Sequence, residues 1–160
     1  MDRTIELDEQ QVKLVVEAVV SRLGTERSEL VGILHALSDE LGYLPKQAFV
    51  EIGRLMGLPV GEVYSVASFY TMLFTEPRGR HLVLVCESAP CHVAGGQALI
   101  DYLPEILGVQ VGGTSTDNRW TLLKTSCLGQ CAQGPILVID DELYGNVSKE
   151  SLPDILKHYK

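Results

Sequence analysis

At 160 residues, 46% hydrophobic and 21% charged, the chain has an ordinary globular composition and can bury a core without help from disulfides or metal. Its 21 acidic residues against 13 Lys and Arg give a net charge of −8. Residues 1–80 carry 8 basic and 12 acidic side chains and residues 81–160 carry 5 and 9, so neither half offers the cationic face that nucleic acid or an anionic membrane requires.

The chain starts Met1-Asp2-Arg3-Thr4-Ile5-Glu6, which is polar and does not read as a signal peptide. The longest apolar runs, such as Leu82–Cys86 and Ile136–Ile139, are too short to span a bilayer. The expectation is a cytoplasmic protein with no direct membrane insertion. Thiols stay reduced there, so its cysteines point to metal or redox chemistry before structural disulfides.

The first third reads as helical. Val12, Val15, Val16, Val19, Val20 and Leu23 recur at helical spacing behind a capping Asp8, and Gly24 closes the segment. Leu30, Ile33, Leu34, Leu37 and Leu41 repeat the pattern before Gly42. Pro45 suits the first turn of a third helix carrying Phe49, Ile52 and Met56, and Val60, Val63, Tyr64 and Ala67 mark a fourth. Such stripes are core faces, and together they predict a small helical bundle over 1–76.

After Glu76-Pro77-Arg78-Gly79-Arg80, a hinge or short linker, the texture changes. His81–Val85, Val109–Val111, Trp120–Thr125 and Ile136–Ile139 read as strands, and Gln97–Leu103 as a helix that Pro104 should kink or restart. Gly112–Asn118 reads as a polar loop and Asp140-Asp141-Glu142 as a turn. Ser148 or Ser151 can cap a last helix running to His158 or Tyr159. The order β-α-β-β-β-α predicts a compact α/β unit over 81–160 with a small mixed sheet.

All four cysteines fall in this second region, as two tight pairs. Cys86 and Cys91 have four residues between them, Cys127 and Cys131 have three, and 35 residues separate the pairs. Each pair follows a predicted strand, where loops present function on a rigid frame. Ser88, Ala89, Pro90, Gly95 and Gly96 surround the first pair; Gly129 and Gly134-Pro135 surround the second. Small residues let backbone N–H groups approach sulfur and offset thiolate charge, which matters because no Lys or Arg lies inside either loop. The pattern points to an iron–sulfur centre with Cys86, Cys91, Cys127 and Cys131 as ligands. On spacing alone a structural Cys₄ zinc site stays open, and unrelated core cysteines are the bland alternative.

Other chemistries find less support. The four-iron run C-x₂-C-x₂-C-x₃-C-P is absent, and neither pair is the C-x-x-C of thiol–disulfide exchange. His92 has no second His in the other loop to complete a Rieske set and reads as an exposed neighbour. There is no G-x-x-x-x-G-K-[ST] or G-x-G-x-x-G phosphate cradle, and no catalytic side chain is assigned. Ala48–Phe69, with Met56-Gly57-Leu58-Pro59 between two short helices, has the outline of a helix-turn-helix. Its second helix, however, carries Glu62 and no Lys, Arg, Asn or Gln, which disfavours DNA.

Taken together, the residues resemble the thioredoxin-like [2Fe-2S] ferredoxin subunits of NADH:quinone oxidoreductase, with relatives in NAD-dependent formate dehydrogenases, NAD-reducing hydrogenases and bifurcating complexes. The resemblance spans nearly the whole chain. It is carried by Gly42-Tyr43-Leu44-Pro45, Ser68-Phe69-Tyr70-Thr71, Cys86-x₄-Cys91 with Gly95, the stretch Gly113–Thr121, and Cys127-Leu128-Gly129-Gln130-Cys131. Gly134 stands where the family usually has alanine before proline, and Pro104 interrupts a helix expected to be smoother. The resemblance implies a thioredoxin-like domain at 81–160 with one [2Fe-2S] cluster on the four cysteines. It also implies a docking role for helices 1–76 against a partner flavoprotein holding FMN and the NAD(H) site, with further iron–sulfur subunits beyond. The chain would then carry single electrons as a non-catalytic subunit of an oxidoreductase, membrane-peripheral only through its parent complex. The alternative is a stand-alone [2Fe-2S] ferredoxin or a zinc-binding interaction module.

Overall fold

The computed structural model describes residues 8–159. The chain divides into two compact units, with the boundary between Pro77 and Arg78, and each has its own core.

The first unit contains α1 (Glu9–Leu23), α2 (Leu30–Leu41), α3 (Lys46–Met56) and α4 (Val60–Phe69), with a single 3₁₀ turn at Arg27–Glu29. The boundaries follow local chemistry. The Asp8 carboxylate accepts the Gln10 N–H at the start of α1, and Gly42 and Gly57 adopt left-handed backbone after α2 and α3, with φ of 83° and 66°. Val12, Val16 and Val19, then Ile33, Leu34 and Leu37, then Ala48, Phe49 and Ile52, then Val63 and Ala67 bury the faces that their spacing predicts. The turn from α3 to α4 is tight. A side chain on Gly53 would fall 2.8 Å from the Leu58 carbonyl oxygen. Glu62 of α4 pairs with Arg27 at 2.7 Å, and Tyr64 meets Phe49 edge-on at 5.5 Å.

The second unit contains β1 (His81–Cys86), a single helical turn α5 (Ala89–Cys91) running into a π-helical stretch at His92–Gly96, and α6 (Gln97–Leu107). Then come β2 (Gly113–Thr114), β3 (Trp120–Thr125), a 3₁₀ turn at Cys131–Gln133, β4 (Leu137–Ile139), β5 (Glu142–Tyr144) and α7 (Leu152–Leu156). The five strands form one mixed sheet ordered β2-β3-β1-β4-β5. β1 runs parallel to β3 with Cys86 opposite Thr125, and antiparallel to β4 with Val85 opposite Leu137. Val83, Val85, Leu122, Leu137 and Ile139 from the sheet form one core with Leu99, Leu103 and Leu107 of α6 and Leu152 of α7. A helical unit followed by a thioredoxin-like α/β unit is the architecture that the sequence implies.

Four elements depart from the sequence reading. The expected strand at Val109–Val111 does not form. Val109 donates its N–H to the Pro104 carbonyl and buries its side chain, and the ladder is taken up instead by Gly113–Thr114, inside the expected loop. Pro104 does not restart α6, which runs on to Leu107. The proline lies in the last turn, and its carbonyl accepts the N–H groups of Gly108 and Val109. The Asp140-Asp141 turn is a hairpin into an unforeseen β5; Asp140 takes φ 54° and its carboxylate accepts the Leu82 N–H at 2.9 Å. The last helix starts where a Ser151 cap puts it, at Leu152, with Ser148 and Ser151 bonded reciprocally ahead of it, but it ends at Leu156 and not at His158 or Tyr159. Among the described residues, no helix is long and apolar enough to cross a membrane.

Candidate metal centre

Parallel pairing of β1 and β3 is what brings the cysteine loops together. Parallel neighbours end at the same edge of a sheet, so the chain leaving β1 at Cys86 and the chain leaving β3 at Thr125 emerge side by side. The Glu87 N–H bonds the Thr125 carbonyl at 3.1 Å, and Glu87 bridges Lys124 at 3.2 Å, tying the two exits. β4 enters the sheet antiparallel from the same edge, and the Cys86 N–H bonds the Ile136 carbonyl at 3.1 Å.

The first loop turns inward at once. Ser88 precedes α5, Pro90 occupies its first turn, and the His92 N–H returns to the Ser88 carbonyl at 2.9 Å. Cys86 and Cys91 are each only 1% exposed and share a small buried cluster with Ile136. The π-helical stretch that follows admits no side chain at Gly96, where a Cβ would lie 2.7 Å from the Cys91 carbonyl oxygen. His92 is exposed, as expected of a bystander.

The second loop stays outside. Cys127 is exposed and Cys131 half-buried, with their sulfurs 3.2 Å apart. Gly129, at φ 84°, turns its N–H onto the Cys127 sulfur at 3.4 Å. The Gly134–Pro135 peptide is cis, and a Cβ on Gly134 would touch the Cys91 Cα and the Ala94 Cβ, each at 3.4 Å. The loops therefore pack on each other.

The thiols influence one another electrostatically. Burial opposes ionisation of Cys86. Hydrogen bonding from the Ser88 N–H, the Cys91 thiol, the Ser88 hydroxyl and the Leu128 N–H overcomes it and holds that thiol below its ordinary range. Burial, then hydrogen bonding to Cys86, pushes Cys91 up against the pull of the Ile136 N–H. Hydrogen bonding to Cys127, then burial, pushes Cys131 up. The repulsion reaches across the loops, since Cys91 is raised by Cys127 and Cys131 by both Cys91 and Cys86. A cationic centre would relieve this repulsion by taking all four sulfurs as thiolates.

The donor set has a definite form: two sulfur pairs, with backbone N–H groups of Ser88, Leu128, Gly129 and Ile136 aimed at sulfur. Among the described residues, no three His, Cys, Asp or Glu side chains are grouped to hold a single metal ion. A tetrahedral zinc needs four sulfurs around one point, whereas a two-iron cluster needs one pair for each iron. Sequence reasoning found the four thiols but missed Leu128 and Ile136. They act through the backbone, and no side-chain signal marks that role.

A sheet edge carrying two thiol pairs and inward-facing amides offers the donor types that a small metal–thiolate redox domain uses. The sequence matches the family described as thioredoxin-like [2Fe-2S] ferredoxin over residues 16–160. The chain belongs to this family, and its cofactor is one [2Fe-2S] cluster. It is 35% identical over 134 residues to a subunit of NADH-quinone oxidoreductase from Escherichia coli K12, covering 84% of this chain and 81% of that one. It is 32% identical over 145 residues to an NADH-quinone oxidoreductase subunit from Rhizobium meliloti, covering 91% and 86%. The solved NAD+-reducing [NiFe]-hydrogenase in its H2-reduced state superposes with a TM-score of 0.71 at 26% identity, covering 82% of this chain. The match spans only 22% of that longer hydrogenase chain. Relatives of this protein are thus subunits of NADH-quinone oxidoreductase, and a similar fold occurs in an NAD+-reducing hydrogenase.

Proposed function

We propose that Cys86 and Cys91 hold one iron of the cluster, and Cys127 and Cys131 the other, in an electron-transfer subunit that exchanges single electrons with an FMN- and NAD(H)-binding partner. The observation that carries this reading is the convergence of two sulfur pairs at one edge of the sheet, one buried and one open to the surface. When bound, the cluster supplies one-electron storage; the chain itself orients the sulfurs, excludes water from the first pair and directs amide dipoles at the negative charge. The lack of a nucleotide-binding loop supports placing hydride chemistry on the partner.

The domain roles follow. The second unit is the cluster domain, and the helical region up to residue 76 is the docking region. Phe69 and Met72, 77% and 61% exposed beside Ser68-Phe69-Tyr70-Thr71, support docking, as large apolar side chains on a surface mark contact sites. Val93 in the first cysteine loop and Leu128 in the second give the cluster edge an apolar rim where a flavin subunit would close over it. We place the assembly in the cytoplasm, peripheral to a membrane only through further iron–sulfur subunits.

The test is reduction by NADH. The isolated full-length chain is expected to be reduced by dithionite and not by NADH, and to accept electrons from NADH once its flavoprotein partner is added. Rapid reduction of the isolated, flavin-free chain by NADH would contradict the reading.

A further inference from the structure

The two sulfur pairs differ in a way that matters before the cluster is in place. Cys127 is exposed, and its sulfur lies 3.2 Å from that of Cys131. Disulfide formation needs those sulfurs to close to about 2 Å. The loop between them holds three residues, one of them Gly129, so the approach is local. Cys86 and Cys91 are 1% exposed, covered by Ile136 and by the backbone of their own loop, and a bulky oxidant cannot reach them without an opening of the fold.

We propose that in the cluster-free chain Cys127 and Cys131 form a redox modification site that a low-molecular-weight disulfide closes, and that this closure competes with cluster insertion. The Cys127 sulfur, as thiolate, attacks one sulfur of glutathione disulfide. That S–S bond breaks, a glutathione thiolate leaves, and a mixed disulfide forms. The Cys131 sulfur, having given up its proton, then attacks the Cys127 sulfur and expels the second glutathione. Two cysteine thiols are oxidised by two electrons, one glutathione disulfide is reduced, and the two thiol protons end on the two glutathiones. The buried pair stays reduced, so the damage is confined to the outer half of the site and a dithiol reductant reverses it. The competition with the cluster rests on the ligand assignment under Proposed function; the disulfide itself does not.

The chain offers a direct readout. Trypsin cutting after Arg80 and Arg119 releases residues 81–119 with both buried cysteines, and cutting after Lys124 and Lys149 releases residues 125–149 with both outer ones. The full-length cluster-free chain is treated anaerobically with glutathione disulfide, alkylated, digested and weighed. Peptide 125–149 is expected to lose two hydrogens and take no alkyl group while peptide 81–119 still takes two. The Cys127→Ser chain is expected to form no internal disulfide. Equal oxidation of the two peptides, a disulfide joining them, or a glutathione adduct that persists on 125–149 would overturn the proposal.

Ferric iron and sulfide are then added anaerobically to the oxidised chain and to the same chain reduced with dithiothreitol and freed of it. Only the reduced chain is expected to develop the cluster chromophore. Equal cluster formation in both would overturn the competition alone. Failure in both, with the disulfide mapped as expected, would overturn the ligand assignment and the competition with it while leaving the disulfide standing.

Discussion

The first pair of cysteines is buried, and the second pair lies in a surface loop. Cys86 ends a central strand with parallel β3 on one side and antiparallel β4 on the other, and Cys91 is buried beside it against Ile136. Cys127 and Cys131 lie in a loop whose geometry depends on a left-handed glycine and a 3₁₀ turn, with Cys127 open to solvent. The same residue type therefore plays two physical roles. The inner sulfurs sit where the folded sheet puts them, and the outer sulfurs are held by a loop that the cluster itself would fasten. The difference predicts that disturbing the inner loop damages the fold and that disturbing the outer loop damages only the site.

The largest separation is expected between two serine variants. In the cluster-free chain, Cys86→Ser shortens a buried side chain, draws its oxygen back from the Ser88 and Leu128 N–H groups that bond the sulfur, and should destabilise the second unit by about 1–3 kcal/mol. Cys127→Ser, at an exposed position, should change it by less than about 0.5 kcal/mol. Both should lose the native visible spectrum. Urea unfolding followed by the fluorescence of Trp120, the single tryptophan, measures the difference, and equal destabilisation would break the comparison.

Next comes Gly96→Ala. Its Cβ would press on the Cys91 carbonyl, 2.7 Å from the oxygen and 3.0 Å from the carbon, and both are backbone atoms that cannot swing aside. A loss of about 1–3 kcal/mol is expected in the same unfolding experiment, with the thiols of Cys86 and Cys91 becoming accessible to alkylation.

Gly134→Ala should do least. A Cβ there meets only ordinary contacts at 3.4 Å, and the backbone, at φ −61°, suits any residue. Unfolding should show stability unchanged or raised by up to about 1 kcal/mol, and the cluster spectrum should not move.

Much of the molecule could be read from its residues, but unevenly. In the helical unit, Val12, Val16 and Val19 or Ile33, Leu34 and Leu37 report their buried face directly, because a helix encodes its contacts within a few residues of sequence. The sheet was harder. Gly113–Thr114 is a strand only because Leu122 and Thr121 lie opposite, and Glu142–Tyr144 only because the Asp140 turn folds it back on β4. Pairings of that kind have no local signature. The four thiols were legible from spacing, yet their separation into a buried and an exposed pair was not. That follows from β4 joining β1 beside Cys86 and bringing Ile136 over the first loop, a contact made 50 residues along the chain.

The central claim is that these two unequal pairs share one two-iron cluster. Quantifying iron, zinc and acid-labile sulfide in the anaerobically purified full-length chain, with EPR of the dithionite-reduced sample, tests it most directly. About two irons and two sulfides per chain are expected, with a spin-one-half signal on one-electron reduction. One zinc per chain, no labile sulfide and no signal would contradict it.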